Sequence, residues 1–435
     1  MTSIFTVYSD LWRETIPQDW KICRLKDVIV SSRGGVWGSE AQSDSNDVVC
    51  YRMADFDYSK GCLKFNALTY RNILPEQQDG RLLNEGDLLL EKSGGGEKMP
   101  VGRVVYVNST QPAVCSNFIQ ALTVERNTSS KYLLYLFHSI YSNRINTLFY
   151  NQTIGIQNLQ VPYYLSQEIP YPSFAEQEAI AGCLDMECGK IDQKIELLER
   201  KADAYRRLRR SLINRAVTRG LNPEVPLKPS GIDWVGDIPE HWKVSRFANF
   251  FNEHNISNRG VNHQNLLSLS FGRIIRKSID TNGGLLPASF ETYQIVEPGN
   301  IILRFTDLQN DHRSLRVGLV NEEGIITSAY TCVEGNKDTV PEFCYYLLHS
   351  YDIKKVFYIL GGGMRQTLNY RTSKDMGVYF PPIEEQREIV AYLDEKCGKI
   401  DTIIEKIGKE VERLKELKRS LINETVTGKR AVTKN

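Results

Sequence analysis

A gapless internal repeat constrains this chain more than any other feature of its sequence. Residues 171–220 return as residues 380–429, with about 21 of roughly 50 aligned positions identical. A shorter motif with Trp, Ile, Pro, Trp and Lys at equal spacings also occurs twice. Its copies are Trp12, Ile16, Pro17, Trp20 and Lys21, then Trp234, Ile238, Pro239, Trp242 and Lys243. A repeat of two long units predicts a molecule with two similar halves, and the divergent inserts between them suggest two different jobs.

Each long repeat begins with the signals of a helix. Ser173 followed by Glu176 is a capping-box pattern, and the second copy begins with two prolines, which a first helical turn tolerates. Gly189 and Gly398 are candidate bends or breaks after a short first helix. The helix that follows each glycine would run for about 26 residues, which corresponds to roughly 40 Å.

Apolar residues recur along both of these helices at alternating spacings of four and three, which is typical of a coiled coil. The predicted helix-pairing residues are Ile191, Ile195, Leu198, Ala202, Tyr205 and Leu212 in the first copy, and Ile400, Ile404, Ile407, Val411, Leu414 and Leu421 in the second. One skipped position is basic in both copies, Arg209 and Lys418, and such a residue can fix the pairing register. Each row could instead pack on its own globular domain, but matched length and register favour pairing of the two helices.

The two inserts alternate short strand-like runs with glycine turns and then contain one helix each, which predicts an α+β domain. The predicted strands cover residues 87–90, 102–107, 300–304 and 316–320, and the predicted helices cover residues 132–141 and 342–351. The predicted domains are residues 1–170 (first recognition domain), 171–220 (first helical repeat), 221–237 (an extended Pro/Gly linker), 238–380 (second recognition domain) and 381–435 (second helical repeat and tail).

Three segments of the inserts have the composition of a nucleic-acid reader, because they combine basic and amide side chains with glycines that allow close approach to phosphate. They are residues 92–103, 304–316 and 361–371. The candidate DNA-binding residues are Lys92, Lys98, Arg103, Gln157 and Asn158 in the first insert, and Arg304, Thr306, Gln309, Asn310, Arg313, Arg316, Arg365 and Gln366 in the second. A solvated turn has a similar composition, so matching loops in both inserts carry the argument.

Composition and missing motifs exclude several classes of protein. The 435 residues are 41% hydrophobic with a net charge of +1, and they contain no apolar run near the roughly 18 residues that would span a bilayer. Nine scattered cysteines without a CxxC pair predict reduced thiols in a cytoplasmic protein and no metal site. The chain has no phosphate loop, dinucleotide fingerprint, methyltransferase motif, nucleophile elbow or zinc spacing, so no catalytic residue is assigned.

Long stretches of the chain resemble the specificity subunit of type I restriction–modification systems. The resemblance lies in the helical segment EEQREIVAYLDEKCGKIDTIIEKI, in the linker SGIDWVGDIPEHWKV and in VEPGNIILRFTDLQNDHRSLRVG of the second insert. The first insert is similar through EKSGGGEKMPVGRVVYV and PAVCSNF. The N-terminal motif is a degraded copy of the linker motif that lacks Gly-Ile-Asp.

The resemblance implies two α+β target recognition domains separated by two long helices paired as an antiparallel coiled coil with pseudo-twofold symmetry. It implies a non-catalytic subunit in which each recognition domain reads half of a bipartite, asymmetric site in double-stranded DNA. Its partners would be two methyltransferase subunits with S-adenosylmethionine, and motor or nuclease subunits that use ATP and Mg²⁺. No cofactor is expected in this chain, and no membrane.

A rival interpretation is a coiled-coil scaffold that joins two protein-interaction domains and does not bind DNA. The net charge near zero favours it, because a nucleic-acid-binding protein is often basic overall. A stand-alone nuclease or methyltransferase is disfavoured by the missing motifs.

Overall fold

The chain divides into two compact units, of which one combines residues 1–199 with residues 408–435 and the other comprises residues 200–407. A computed structural model describes residues 7–153, 155–260, 263–278, 289–311, 313–360 and 368–432. Within these ranges no helix is both long enough and apolar enough to cross a membrane.

The described residues of the first unit form fifteen strands, two short α-helices, one medium helix, the beginning of one long helix and the end of another. The strands are β1 (Lys21–Arg24), β2 (Ile29–Gly34), β3 (Ser39–Glu40), β4 (Asp47–Tyr51), β5 (Phe56–Asp57), β6 (Cys62–Leu63), β7 (Tyr70–Asn72), β8 (Leu88–Glu91), β9 (Ser93–Gly94), β10 (Val104–Tyr106), β11 (Ala113–Cys115), β12 (Ile119–Val124), β13 (Tyr150–Thr153), β14 (Ile156–Leu159) and β15 (Glu168–Tyr171). The helices are α1 (Pro75–Gln78), α2 (Ser130–Ser142), α3 (Val161–Tyr164) and α4 (Phe174–Arg219).

The second unit contains thirteen strands and the remaining helices. The strands are β16 (Leu227–Pro229), β17 (Asp237–Pro239), β18 (Lys243–Arg246), β19 (Phe251–Glu253), β20 (Ile256–Ser257), β21 (Leu267–Ser270), β22 (Arg273–Arg276), β23 (Gln294–Val296), β24 (Ile301–Leu303), β25 (Val317–Leu319), β26 (Gly324–Ile326), β27 (Thr331–Gly335) and β28 (Gly377–Phe380). The helices are α5 (Pro341–Ile353), α6 (Val356–Leu360), α7 (Tyr370–Ser373) and α8 (Ile383–Val426). Short 3₁₀ helices cover Ser9–Leu11, Leu25–Val28, Met53–Asp55, Ile145–Phe149 and Phe247–Asn249.

The central sheets of the two units have the same strand order. The first runs β2-β12-β8-β10 and continues into β6 and β5, and the second runs β19-β27-β24-β25. The register also agrees, since Leu90 lies opposite Val104 in one sheet and Leu303 lies opposite Val317 in the other. The two inserts therefore share an α+β fold, and all four predicted strands and both predicted helices are present.

Both long helices are continuous, so the breaks predicted at Gly189 and Gly398 are wrong. Helix α4 has 46 residues and α8 has 44, which corresponds to roughly 70 and 66 Å instead of 40 Å. A glycine costs a helix only about 1 kcal/mol relative to alanine. The buried faces continue past each glycine, with Cys188 before the first and Cys397 and Ile400 on either side of the second, so burial outweighs that cost.

The predicted pairing of the two helices is confirmed, and it can be followed within each unit. In the first unit Lys194 Nζ lies 3.0 Å from Glu410 Oε1, and Lys418 Nζ lies 2.7 Å from Asp192 Oδ2. The residue number rises on one helix as it falls on the other, so the helices are antiparallel. The predicted seam residues are all buried or half-buried.

The basic residues at the skipped seam positions make ion pairs with equivalent partners. Lys418 pairs with Asp192 in the first unit, and Arg209 Nε lies 3.1 Å from Asp401 Oδ1 in the second. Asp192 and Asp401 occupy the same position of the repeated Gly-Lys-Ile-Asp sequence, as Arg209 and Lys418 occupy one position later in the repeat. Each unit therefore contains one copy of the same cross-helix contact.

Each recognition domain is fixed to both long helices through its own medium helix. In the first unit Tyr135 donates to Asp185 of α4 (2.7 Å) and Ser139 donates to Asn423 of α8 (2.7 Å). In the second unit the roles of the long helices are exchanged. Tyr346 donates to Asp394 of α8 (2.6 Å), and Ser350 donates to Asn214 of α4 (3.1 Å).

The short repeated motifs pack against the ends of the long helices. Trp242 Nε1 donates to Glu385 (3.2 Å), and its ring lies beside Gly220, the left-handed residue that follows α4. In the first unit Pro17 and Trp20 lie against Gly428 just after α8, where a Cβ atom would approach Pro17 Cδ to 2.3 Å. The linker is less extended than predicted, because β16 pairs with β17.

Candidate nucleic-acid interface

Two of the three segments predicted to contact DNA occupy the same place in the two units. Residues 92–103 connect β8 to β10, and residues 304–316 connect β24 to β25. At the base of each loop the same backbone hydrogen bond closes the strand pair, from Glu91 N to Arg103 O (2.9 Å) and from Arg304 N to Arg316 O (2.8 Å). The central sheet of each unit therefore carries a loop at the same place, and the two loops differ in composition.

The first unit brings together candidate residues that lie far apart in the sequence. The β13–β14 hairpin adds to β9, which places Asn158 opposite Ser93. Ser93 Oγ donates to Asn158 Oδ1 (2.6 Å), and Lys92 Nζ donates to Gln120 Oε1 of β12 (3.1 Å). Lys98 and Asn158 are exposed and Lys92 is half-buried, so all three side chains are at least partly accessible.

Arg103, which is half-buried, and Gln157, which is buried, make internal contacts. The Arg103 guanidinium donates to Glu91 (2.8 Å) and lies 3.6 Å from the centre of the Tyr58 ring. Gln157 is fully buried, and its Oε1 accepts a hydrogen bond from Val101 N (3.1 Å). Both side chains therefore support the loop of residues 92–103 from inside the fold.

The second loop is organised around Arg316, which is fully buried. Its Nη1 donates to the carbonyls of Arg304 (3.1 Å) and Thr306 (2.7 Å), and its Nη2 donates to those of Asp307 (3.1 Å) and Asp311 (2.6 Å). Its Nε donates to the Tyr358 hydroxyl (2.8 Å). The five guanidinium N–H donors of this side chain are thus committed to the loop and its support.

The position of Arg316 corrects its sequence-based assignment as a DNA contact, because its side chain does not reach the surface of the described fold. Its peptide N–H donates to Asp352 Oδ2 (2.5 Å), and burial raises the pKa of Asp352 to about 6. Sequence reasoning missed Tyr358 and Asp352. They lie about 40 residues from Arg316 in the sequence and carry no local signal of their role.

The other candidates of the second loop are more accessible. Gln309, Asn310 and Arg313 are exposed, and Arg304 and Thr306 are half-buried. Arg304 Nη1 lies 3.6 Å from Asp311 Oδ2, and Asn310 donates to Asp307 (2.8 Å). The remaining candidates, Arg365 and Gln366, lie outside the described residues.

Neither histidine of the two medium helices is a candidate catalytic group. His349 on α5 is buried and His138 on α2 is half-buried, and loss of solvent contact lowers the pKa of each to about 4. His138 Nε2 lies 3.2 Å from the carbonyl of Val104, and the His349 ring stacks on Tyr345. All nine cysteines are free thiols, and the described residues contain no cluster of His, Cys, Asp or Glu that could hold a metal ion.

Comparisons with known proteins agree on one family. Residues 17–203 match the family described as the type I restriction modification DNA specificity domain. A protein of Methanocaldococcus jannaschii named as a putative type I restriction enzyme MjaX specificity subunit is 23% identical over 95% of this chain and 94% of its own length. The StySPI specificity subunit of Salmonella potsdam is 22% identical over 96% of this chain and 90% of its own length.

A solved structure extends the agreement to the fold. A chain described in work on complex assembly and conformational transition of the type I R-M system superposes with a TM-score of 0.68. The superposition covers 96% of this chain and all of the other, at 15% sequence identity.

Proposed function

We propose that this chain, which is similar to type I restriction–modification specificity subunits over nearly its whole length, reads a bipartite, asymmetric site in double-stranded DNA, one half with each recognition domain. Its relatives are named for specificity and not for methyl transfer or cleavage, so its role is recognition without catalysis.

One observation carries the proposal of two half-sites. The central sheets agree in strand order and register, yet the loops at the same place on them differ in their exposed candidate side chains. The first loop offers Lys92, Lys98 and the neighbouring Asn158, whereas the second offers arginines with Gln309 and Asn310. Lysine mainly binds phosphate, while arginine and amide side chains also recognise guanine and adenine edges. Two unlike loops on one frame favour two unlike half-sites.

The helices supply the spacing in this proposal. Each long helix begins in the unit of the recognition domain before it and ends in the other unit. Within each unit the two helices pair along a seam of buried or half-buried residues that includes one ion pair. The number of base pairs between half-sites then depends on helix length.

The enzymatic steps belong to partner subunits in this proposal. Two methyltransferase subunits would bind S-adenosylmethionine and modify one adenine in each half-site, and motor or nuclease subunits would use ATP and Mg²⁺. We assign no cofactor to this chain. The internal repeat supports two copies of one methyltransferase subunit, since equivalent surfaces bind identical partners.

The test is co-expression of the chain with its methyltransferase subunit, followed by methylation-sensitive sequencing of the host DNA. We expect methylated adenines in one motif with two defined parts and a fixed gap. Exchange of residues 304–313 for those of another specificity subunit should change one part only. A complex that methylates no defined motif, and that does not shift any DNA in a gel, would support the scaffold interpretation instead.

A further inference from the structure

The tip of the β21–β22 hairpin combines backbone strain with an exposed aromatic ring. Phe271 has a φ of +46° and Gly272 a φ of +78°, and these two residues form the turn between Ser270 and Arg273. A two-residue turn with two positive φ angles favours asparagine and glycine, because a bulky side chain is strained there. Phe271 is nevertheless 75% exposed, so the fold gains little by burying its ring. Strain without burial points to a function for this side chain.

The hairpin is a firm support for the exposed ring. Leu267 and Leu269 are buried, and the side chains of Leu269 and Ile274 cover Gly318 of β25. A Cβ atom at Gly318 would lie 2.6 Å from Leu269 Cδ1 and 2.8 Å from Ile274 Cδ1, so the hairpin and the central sheet are in close contact. The tip is therefore held in place by the same sheet that bears the loop of residues 304–316.

The charge of the hairpin is basic. Residues 263–278 contain Arg273, Arg276 and Lys277 and no acidic residue. The arginine side chains are 77% and 74% exposed. Arg276 donates to Glu322 (2.7 Å), whereas Arg273 lies 3.9 Å from its nearest carboxylate, that of Asp401. The long separation leaves the Arg273 guanidinium able to take a stronger anionic partner.

The outer face of the hairpin suits a nucleic-acid groove better than a protein surface. Cross-strand pairing puts Ser268 beside Ile275, and Ser270 beside Arg273, on the face opposite the buried leucines. A two-stranded ribbon fits the DNA major groove, and hydroxyl and guanidinium groups are donors to base edges and phosphates. Apart from Phe271 at the tip, this hairpin exposes one large apolar side chain, Ile275, and a protein-binding hairpin would present a larger apolar face.

We propose that Phe271 stacks against a base step of the DNA bound by the second unit, and that Arg273 contacts a phosphate beside that step. This inference rests on the proposed function. An aromatic ring at the tip of a rigid ribbon partly unstacks the duplex and bends it, and a nearby arginine neutralises the phosphate that approaches. The contact adds affinity for easily deformed steps outside the bases that the loops read.

The decisive variant is Phe271→Asn, because asparagine tolerates a positive φ and removes the ring. The intact complex of the chain with its methyltransferase subunits is titrated with a duplex of about 40 base pairs that carries the sequenced site. We expect binding about tenfold weaker, with a thermal midpoint that is unchanged or higher. A 2-aminopurine at the contacted step should become less fluorescent with the variant than with the wild type. In a second variant, Arg273→Gln, the salt slope of binding should fall by about one.

Phe174→Ala is the matched control, since this phenylalanine is 47% exposed and is followed closely by Glu176. We expect it to bind the duplex like the wild type. A wild-type complex that does not bind the duplex carrying the sequenced site would contradict the proposed function itself. A wild-type complex that binds, together with a Phe271→Asn complex of equal affinity and equal 2-aminopurine signal, would overturn only the stacking contact. Loss of methyltransferase from the Phe271→Asn complex on size-exclusion chromatography would overturn it in favour of a protein interface.

Discussion

Lys418 places its ammonium nitrogen 2.7 Å from both carboxylate oxygens of Asp192, across the seam of the paired helices. The same nitrogen donates to the carbonyl of Ser59 (2.8 Å), so the contact also reaches the first recognition domain. Arg209 and Asp401 form the equivalent pair in the second unit. A charged pair inside an apolar seam fixes register, because any shift of one helix leaves a partly buried charge without its partner.

Reversing one charge of this pair should destabilise the protein, and reversing both should restore most of the loss. We expect Lys418→Glu to lower the free energy of unfolding by about 2 kcal/mol, because two carboxylates then meet in a half-buried site. The double variant Lys418→Glu with Asp192→Lys should recover at least half of that loss. Chemical denaturation of Lys418→Glu, of Asp192→Lys and of the double variant measures the coupling. Lys190→Glu, on the exposed side of α4, is the control and should change stability by about 0.5 kcal/mol or less. Additive single effects would show that the pair does not set the register.

Arg316 should act on recognition of the second half-site through the shape of its loop. Arg316→Met keeps an unbranched stem in the buried site but removes five donors, which leaves the loop carbonyls without their partner. We expect loss of methylation at the second half-site motif, while gel shift with a duplex of the first half-site stays as in the wild type.

Arg313→Ala is the comparison, since this exposed side chain is a candidate base contact. It should cost about 1–3 kcal/mol on the cognate site and relax one position. A sharp, unchanged motif with Arg316→Met would contradict the positioning role.

Helix length should determine the gap between half-sites. Leu198 and Ile407 lie at the two places where a long helix passes from one unit to the other. A duplication of four residues at each place adds roughly 6 Å and about one helical turn, so the seams and the contacts inside each unit are kept. We expect the sequenced motif to gain one or two base pairs in its gap, because a base pair rises about 3.4 Å. Insertion of a single residue turns the seam by about 100° and should abolish methylation. An unchanged gap after the four-residue duplications would refute the proposal that helix length sets the spacing of the half-sites.

Buried histidines should make the protein less stable in mild acid. Burial lowers the pKa of His138 and His349 to about 4, so their unfolded forms take up protons first as the pH falls. Their contribution is complete above about pH 6.5 and is lost between pH 6.5 and 4, by about 1–2 kcal/mol for each at pH 5. Asp352 acts in the opposite direction, because its raised pKa of about 6 favours the folded state as the pH falls. His138→Gln should reduce the drop in thermal midpoint between pH 7 and pH 5. An equal drop in the variant would assign the effect to other groups.

The sequence predicted the features that depend on local pattern. The apolar spacing predicted twelve seam residues, each of which is buried or half-buried. Ser173 with Glu176 forms the capping box that the pattern indicated, with Ser173 N donating to Glu176 (3.2 Å). The strands around residues 92–103 and 304–316 were found from alternation and glycine turns. These predictions succeed because the periodic spacing of apolar residues close together in the sequence indicates helices and strands.

The predictions of helix breaks and of a DNA contact by Arg316 failed because they depend on contacts with distant residues, which the local sequence does not contain. Gly189 and Gly398 are permissive residues, and only the buried side chains packed on either side of them decide whether a helix continues. An arginine in a polar loop has the same sequence signature whether it points outward or inward. Its direction was decided by Asp352 and Tyr358, which meet it from helices 36 and 42 residues away along the chain.

The sequence by itself determined that the chain contains a duplicated helical frame with two different inserts. The repeat and the spacing of its seam residues can be read directly from the order of residues along the chain. Only the tertiary structure decided which basic side chains support the loops and which reach the surface. It also showed that an aromatic ring stands strained at the tip of β21–β22. Burial and left-handed backbone conformation arise from contacts between distant segments, and no spacing of residues along the chain encodes them directly.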